Sequence, residues 1–301
     1  MVRLGANRYG KAEVRVVRVA RGAAPDGGDV IRDWNVSTSL SGDLADSHLT
    51  GDNAKVLPTD SQKNKVYALA KELGAVEPEE FALSLGSFFV SSQEPITRAR
   101  ISVEEYGWTP IGATGYSFAR SGDLVRTTTV TVDAARGAWV VSGIRDLVVL
   151  NATGSEFWGY PKDPYTTLPE TKDRILATSV NASWRFRGPA NDPAIGTADD
   201  TADWAATFAT ARSVITETFA GTYTYSLQQM LYAIGSALLA AVPAICEVRL
   251  ALPNKHHYLV DLTPFGLEND REVYLAGDRP YGLIEGTVLA DDAPDEGLAW
   301  T

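Results

Sequence analysis

The residues A-E-V-R-V-V-R-V from Ala12 to Val19, the break P-D-G-G from Pro25 to Gly28 and the run V-I-R-D-W-N-V-S-T-S-L from Val30 to Leu40 set the grammar of the chain. Val14 and Val16 alternate with Glu13 and Arg15, the period of two that side chains follow on a half-buried strand. A proline and two glycines between two such runs predict a hairpin. Two helices are predicted next. One begins near Thr59 and Asp60, residue types that cap helix starts, and runs through Val66, Tyr67 and Ala70. The other follows Glu77 and Pro78, places acids in its first turn, and carries Phe81, Leu85, Phe88 and Phe89 at helical spacing. Extended runs return at Thr97 to Tyr106, Val125 to Val132 and Ala138 to Leu150.

The second half repeats this order. Ile175 to Phe186 is extended in its later part, and the stripes Trp204, Phe208, Ala211, Ile215, Phe219 and Leu227, Leu231, Ile234, Leu238 predict a helix pair. Extended runs at Cys246 to Leu252, His257 to Leu262, Glu272 to Ala276 and Gly282 to Leu289 close the chain. Strands in blocks with helices grouped between them predict the α+β class: antiparallel sheets with helices on one face, in two tandem units expected at 1–140 and 141–301. Exposed sheet edges invite pairing, and closure around an oligomer axis is one way to cover them.

Composition narrows the function. The 301 residues carry a net charge of −11 with a pI near 4.8, 45% hydrophobic and 22% charged residues. That is an ordinary globular balance. The acidity argues against a nucleic-acid partner, which needs clustered Lys and Arg. An anionic small substrate is still compatible if the site supplies its own cation. No run of about 18 apolar residues suits a membrane span. The first residues show no apolar secretory core and the last ones no peroxisomal S-K-L, so a cytoplasmic location is expected. A single cysteine, Cys246, excludes an intrachain disulfide and a CxxC motif. No G-x-G-x-x-G, G-K-[ST] or G-x-S-x-G stands in a suitable place, which removes the main support for nucleotide cofactors and acyl hydrolysis.

Proton-handling chemistry concentrates in L-P-N-K-H-H-Y-L-V-D, Leu252 to Asp261, which holds two of the chain's three histidines at a strand-to-strand connection. In an extended segment Asn254 and His256 share one face, and Lys255 and His257 the other. Taken alone, this stretch reads first as a polar hairpin with a satisfied histidine. Other segments have similarly plain readings when taken singly. Tyr9-Gly10-Lys11 reads as a solvated lysine before a strand, and Thr59-Asp60 as helix caps. The aromatics of S-E-F-W-G-Y, Ser155 to Tyr160, read as core, Arg174 as a surface charge, and Ser226-Leu227-Gln228 as a polar helix start.

Together and in order they read differently. The set Y-G-K, T-D-S-x-K-N, F-W-G-[YF], T-T-L-x-E-T-x-D-R-I-L, S-L-Q and L-P-N-K-H-H closely resembles the urate oxidase (uricase) family from about Asn7 to about Thr287. The resemblance implies the tunnelling fold, two tandem ββααββ-type domains per chain, assembled as a homotetramer around a barrel. It implies oxidation of urate by O₂ and water to 5-hydroxyisourate and hydrogen peroxide, with neither metal nor organic cofactor.

By the same resemblance Arg174 and Gln228 clamp the pyrimidine side of urate, and Phe157 stacks on the purine. Leu227 and Leu168 line the site, with backbone groups of Asp60 and Leu227 completing the planar hydrogen-bond set. Lys11 and Thr59 form a catalytic dyad supplied by the neighbouring subunit, Asn254 holds O₂ and then water above the ring, and His256 extends the proton relay. His257 is expected to face away. Two stretches depart from the family pattern: W-T-P-I-G-A-T-G-Y-S-F, Trp108 to Phe118, lacks the histidine commonly found before S-F, and the C-terminal residues differ. Alternatives are another purine or pterin enzyme of the same fold and a non-catalytic purine-binding protein. The first usually needs zinc ligands or a catalytic glutamate set; the second would have no use for Lys11, Thr59, Asn254 and His256.

Overall fold

The opening hairpin forms as its alternation requires: β1 (Val14–Ala20) and β2 (Val30–Gly42) pair antiparallel, with Val14 opposite Val36 and Ala20 opposite Val30. The computed structural model describes residues 2–188, 203–277 and 279–301. A one-turn helix, α1 (Ala45–Leu49), is too short to show a stripe in the sequence, and it precedes α2 (Thr59–Leu73) and α3 (Pro78–Ser92). Then come β3 (Ile96–Pro110), β4 (Phe118–Asp133), β5 (Gly137–Asn151) and β6 (Leu176–Phe186). The second helix pair is α4 (Trp204–Gly221) and α5 (Leu227–Ala241), followed by β7 (Ile245–Pro253). Short strands β8 (His257–Leu259) and β9 (Tyr274–Ala276) flank a 3₁₀ turn at Thr263–Phe265, and β10 (Leu283–Leu289) ends the sheet.

Eight strands form one antiparallel sheet in the order β1-β2-β3-β4-β5-β6-β7-β10. The pairing of β4 with β5 joins the two halves into a continuous layer. Alternation then sorts the side chains. Trp34, Val36, Leu40, Ile101, Val130, Trp184 and Val248 are fully buried on one face. The helices cover that face, α2 against β1, α3 against β3 and β4, α4 against β5, and α5 against β7 and β10.

The opposite face is polar, with Ser102 against Thr129 and Arg98 against Asp133, and the C-terminal segment lies across it. Leu298 and Ala299 pack on Trp139 and Val141. Arg185, buried beneath the segment, donates to the carbonyls of Pro294 (2.9 Å) and Asp295 (3.2 Å) and pairs through Nε with Glu247 at 2.7 Å.

Three expectations need correction. β3 and β4 run well past Tyr106 and start well before Val125, because a register shift between Tyr106 and Trp108 lets the ladder continue to Pro110 opposite Phe118 through a stretch rich in Gly. The run from His257 does not extend to Leu262 or join the main sheet: β8 pairs with β9 in a separate two-stranded ribbon. Thr59 is not a cap, since the N-cap position belongs to Pro58 and no side chain caps α2. The acids at the start of α3 do more than face a helix dipole. Glu79 is buried and accepts from Ser142 (2.6 Å), Arg126 (2.7 Å) and Thr128 (3.0 Å), tying the helix to β4 and β5.

Candidate active site

Segments far apart in the chain wall one cavity of about 670 Å³: the loop between β5 and β6, the start of α5, the β7–β8 connection and Ile284 of β10. The β5–β6 loop is irregular but pinned. Ser155, fully buried, forms a parallel bridge with Thr224, and Phe157 forms an antiparallel bridge with Thr171 through N–H···O contacts of 2.8 and 2.9 Å. Tyr160 stacks on Phe157 with centroids 4.8 Å apart and donates its hydroxyl proton to the carbonyl of Leu168 at 2.6 Å. One face of Phe157 is thus backed by a second aromatic ring.

Arg174 is fixed from the same loop. Its backbone N–H donates to the carbonyl of Ser155 (3.0 Å) and its Nε–H to the Ser155 hydroxyl (3.2 Å), while the guanidinium carbon sits 5.1 Å from the Phe157 ring centre. Burial is what acts on its charge, lowering its pKa. Among the described residues no carboxylate forms an ion pair with it, so the two terminal nitrogens of the fork are available to an anion.

Gln228 and Leu227 enter from the first turn of α5. Ser226 caps this helix by accepting from the N–H of Gln229 at 3.2 Å. The free N–H groups of a helix's first turn carry a partial positive charge, so the helix start and Arg174 favour negative charge in the same cavity.

The β7–β8 connection is held by the N–H of Asn254 on the carbonyl of Gly282 (2.8 Å) and that of Lys255 on Ala177 (2.8 Å). Asn254 and His256 both line the cavity, as the extended reading requires. His257 also borders the cavity. The His257 ring contacts the Lys255 carbonyl at 3.0 Å. His256 has its pKa pushed below the ordinary histidine value, first by burial, then by the charge of Arg174 and by His257.

Lys11, Thr59 and Asp60 do not reach this cavity within one chain. They gather elsewhere, where Lys11 is tied to β2 and where its charge helps keep the Asp60 carboxyl below its usual range, after the larger effect of Lys63. Sequence reading missed Ser155, the ring pair of Tyr160 and Phe157, and the Arg271–Asp173 ion pair (2.7 Å) at the rim. Tyr160 stood inside a quoted motif and could have been found; Arg271 lies in a loop without pattern.

A family model described as Uricase matches residues 7–131 and 140–285. A uricase of Arthrobacter globiformis is 43% identical over 298 residues, covering 99% of this chain and 93% of that protein. The chain belongs to the uricase family. The crystal structure of the Arthrobacter uricase superposes with a TM-score of 0.91 over 100% of this chain and 99% of the other. The uricase of Aspergillus flavus is 35% identical over 291 residues, 94% of this chain and 95% of its own length. Lys11, Thr59 and Asp60 fall in the first uricase-matching segment, and every cavity residue named above falls in the second. Among the described residues no group of three or more His, Cys, Asp or Glu could hold a metal ion, and no helix is long and apolar enough to cross a membrane.

Proposed function

We infer that the chain is a urate oxidase, converting urate, O₂ and water to 5-hydroxyisourate and hydrogen peroxide. Family membership gives the reaction; the observation that carries it into the site is the meeting of Arg174, Phe157, the α5 start and Asn254 with His256 around one cavity. Urate is a flat anion. Phe157, backed by Tyr160, offers it a stacking surface, and Arg174 with Gln228 offers a fork and an amide for its oxygen and nitrogen edge.

In this reading Lys11 accepts the proton that urate loses, through the hydroxyl of Thr59. The electron pair passes to O₂, which leaves as hydrogen peroxide after taking up two protons. Water adds to the oxidised carbon above the ring, where Asn254 holds first O₂ and then the nucleophile, and His256 extends the proton relay. The backbone groups of Asp60 and Leu227 complete the in-plane contacts to urate. Neither metal nor organic cofactor takes part.

Because Lys11 and Thr59 lie outside the cavity of their own chain, a neighbouring copy supplies them. The edge strands β1 and β10 give such copies a way to join sheets, in keeping with a homotetramer. We further assign the tandem units to 1–140 and 141–301, a division that falls near the start of β5.

The test is the decay of urate absorbance in air-saturated, chelator-treated buffer with peroxide measured in parallel. Decay with one peroxide per urate supports the assignment. Tight urate binding without decay in a folded assembly would convert it to a purine-binding protein.

A further inference from the structure

On the face of α2 that packs into the core, Gln62 is completely buried beside Val66, Leu69 and Ala70. A glutamine there is costly unless its bonds are made, and it makes them. Its Oε1 accepts from the Thr38 hydroxyl of β2 at 2.6 Å, and its Nε2 donates to the carbonyl of Leu57 at 3.4 Å. The same Thr38 oxygen accepts the backbone N–H of Lys11 at 3.0 Å, while the Thr38 N–H donates to the Lys11 carbonyl at 2.9 Å. One buried hydroxyl therefore joins the residue carrying the lysine to the first turn of the helix carrying Thr59.

Neighbouring contacts aim the same way. Tyr9, two residues before Lys11, donates its hydroxyl proton to the Leu57 carbonyl at 3.0 Å, so two side chains converge on the peptide just before Pro58 and Thr59. The helix has no side-chain cap of its own to fix where it starts. Gly10 closes the arrangement: a Cβ there would lie 1.8 Å from the Thr38 carbonyl oxygen, so only glycine lets the Lys11 strand approach β2 this closely.

We propose that Thr38 and Gln62 are positioning residues for the Lys11–Thr59 pair, holding the two groups in register across a buried hydrogen-bonded bridge. This rests on the dyad reading given above. Neither residue is near the urate cavity of its own chain, so they act through Lys11 and Thr59 and not on substrate. Displacements of about 1 Å at a proton-transferring group can lower turnover by about 10²-fold, while leaving binding contacts made elsewhere intact.

The test compares Thr38→Val, which keeps shape and removes the hydroxyl, with Thr38→Ser, which keeps the hydroxyl, in the full-length assembled enzyme well below its melting temperature. Thr38→Val is expected to lower kcat by about tenfold or more with KM for urate within about twofold of the parent, and Thr38→Ser to recover most of kcat. Gln62→Met repeats the test from the other side of the bridge. In a Lys11→Met background Thr38→Val should cause no further loss, since both act through one group. A full kcat in Thr38→Val alongside an inactive Lys11→Met would overturn the positioning role and leave the dyad standing. An unchanged kcat in Lys11→Met would remove the dyad and the positioning role together. Equal losses in Thr38→Val and Thr38→Ser, or losses that track melting temperature, would reduce the bridge to packing.

Discussion

Replacing Arg174 by alanine separates the clamp from every other contact in the cavity. In the free protein the guanidinium holds only the Ser155 hydroxyl and lies beside the Phe157 ring, with no ion pair among the described residues. Its removal breaks no buried salt bridge, and it relieves a desolvated charge, so folding should suffer little. Binding should suffer much. Truncating one partner of a close charged, hydrogen-bonded contact costs about 2–5 kcal/mol, and because Arg174 is only partly buried the top of that range is not reached. About 2–4 kcal/mol corresponds to a dissociation constant for urate raised roughly 30-fold to 1000-fold. Arg174→Lys keeps the charge but loses the planar fork, and it should recover only part of the affinity.

The assay is calorimetric titration of urate under strict exclusion of O₂, so that binding is read without turnover. A second readout comes from His256, whose pKa is lowered first by burial and then by Arg174. Removing the arginine should raise it, by NMR titration of the ring protons, yet leave it below the ordinary histidine value because burial persists. A urate affinity within about threefold of the parent would refute the clamp. An unmoved His256 would show that the two groups do not share the cavity in solution.

Lys11→Met should leave anaerobic urate binding intact while kcat falls by about 10² or more, the usual loss for a general base; turnover at the parental rate would take Lys11 out of the relay. Phe157→Ala should weaken urate by about 1–3 kcal/mol, the worth of stacking a base on an aromatic ring, with Phe157→Leu intermediate; equal affinities in all three proteins would mean the ring is only scaffold. Arg185→Met removes one of the two arginines paired with the buried Glu247 carboxylate and frees the C-terminal carbonyls it holds, so stability measured by denaturant melting should fall by about 3 kcal/mol; no change would show that Arg249 alone satisfies Glu247. Because the folded pKa of His256 lies below its unfolded value, the unfolded chain binds more protons between the two, and stability should fall as pH drops from the ordinary histidine value through the lowered one. His256→Gln should flatten that part of the melting profile, and an identical slope in both proteins would assign it to other groups.

What was legible in the sequence and what was not divides along a physical line. The fold is written in short-range periodicity: Val14 and Val16, the Phe81–Phe89 stripe and the Trp204–Phe219 stripe each declare a period and a buried face, and burial of those faces on one sheet follows. Irregular backbone carries no such signal. Hence the period of the sequence makes β8 longer than it is and gives no sign of the outer reaches of β3 and β4, which lie among glycines. The site is a harder case, since its residues come from loops and helix starts whose side chains have plain local explanations. Arg174 looks like any surface arginine until Ser155 and the Phe157 ring are seen to hold it without a carboxylate. Motifs in order point to the family and, through it, to a neighbouring copy as the source of Lys11 and Thr59, but they give no sign that the segments of these two residues are fastened to each other through Thr38 and Gln62. A buried polar bridge between two elements is invisible to periodicity, because a single glutamine on an apolar helix face reads as a blemish in the stripe. Its meaning lies in the partner that long-range folding brings to it.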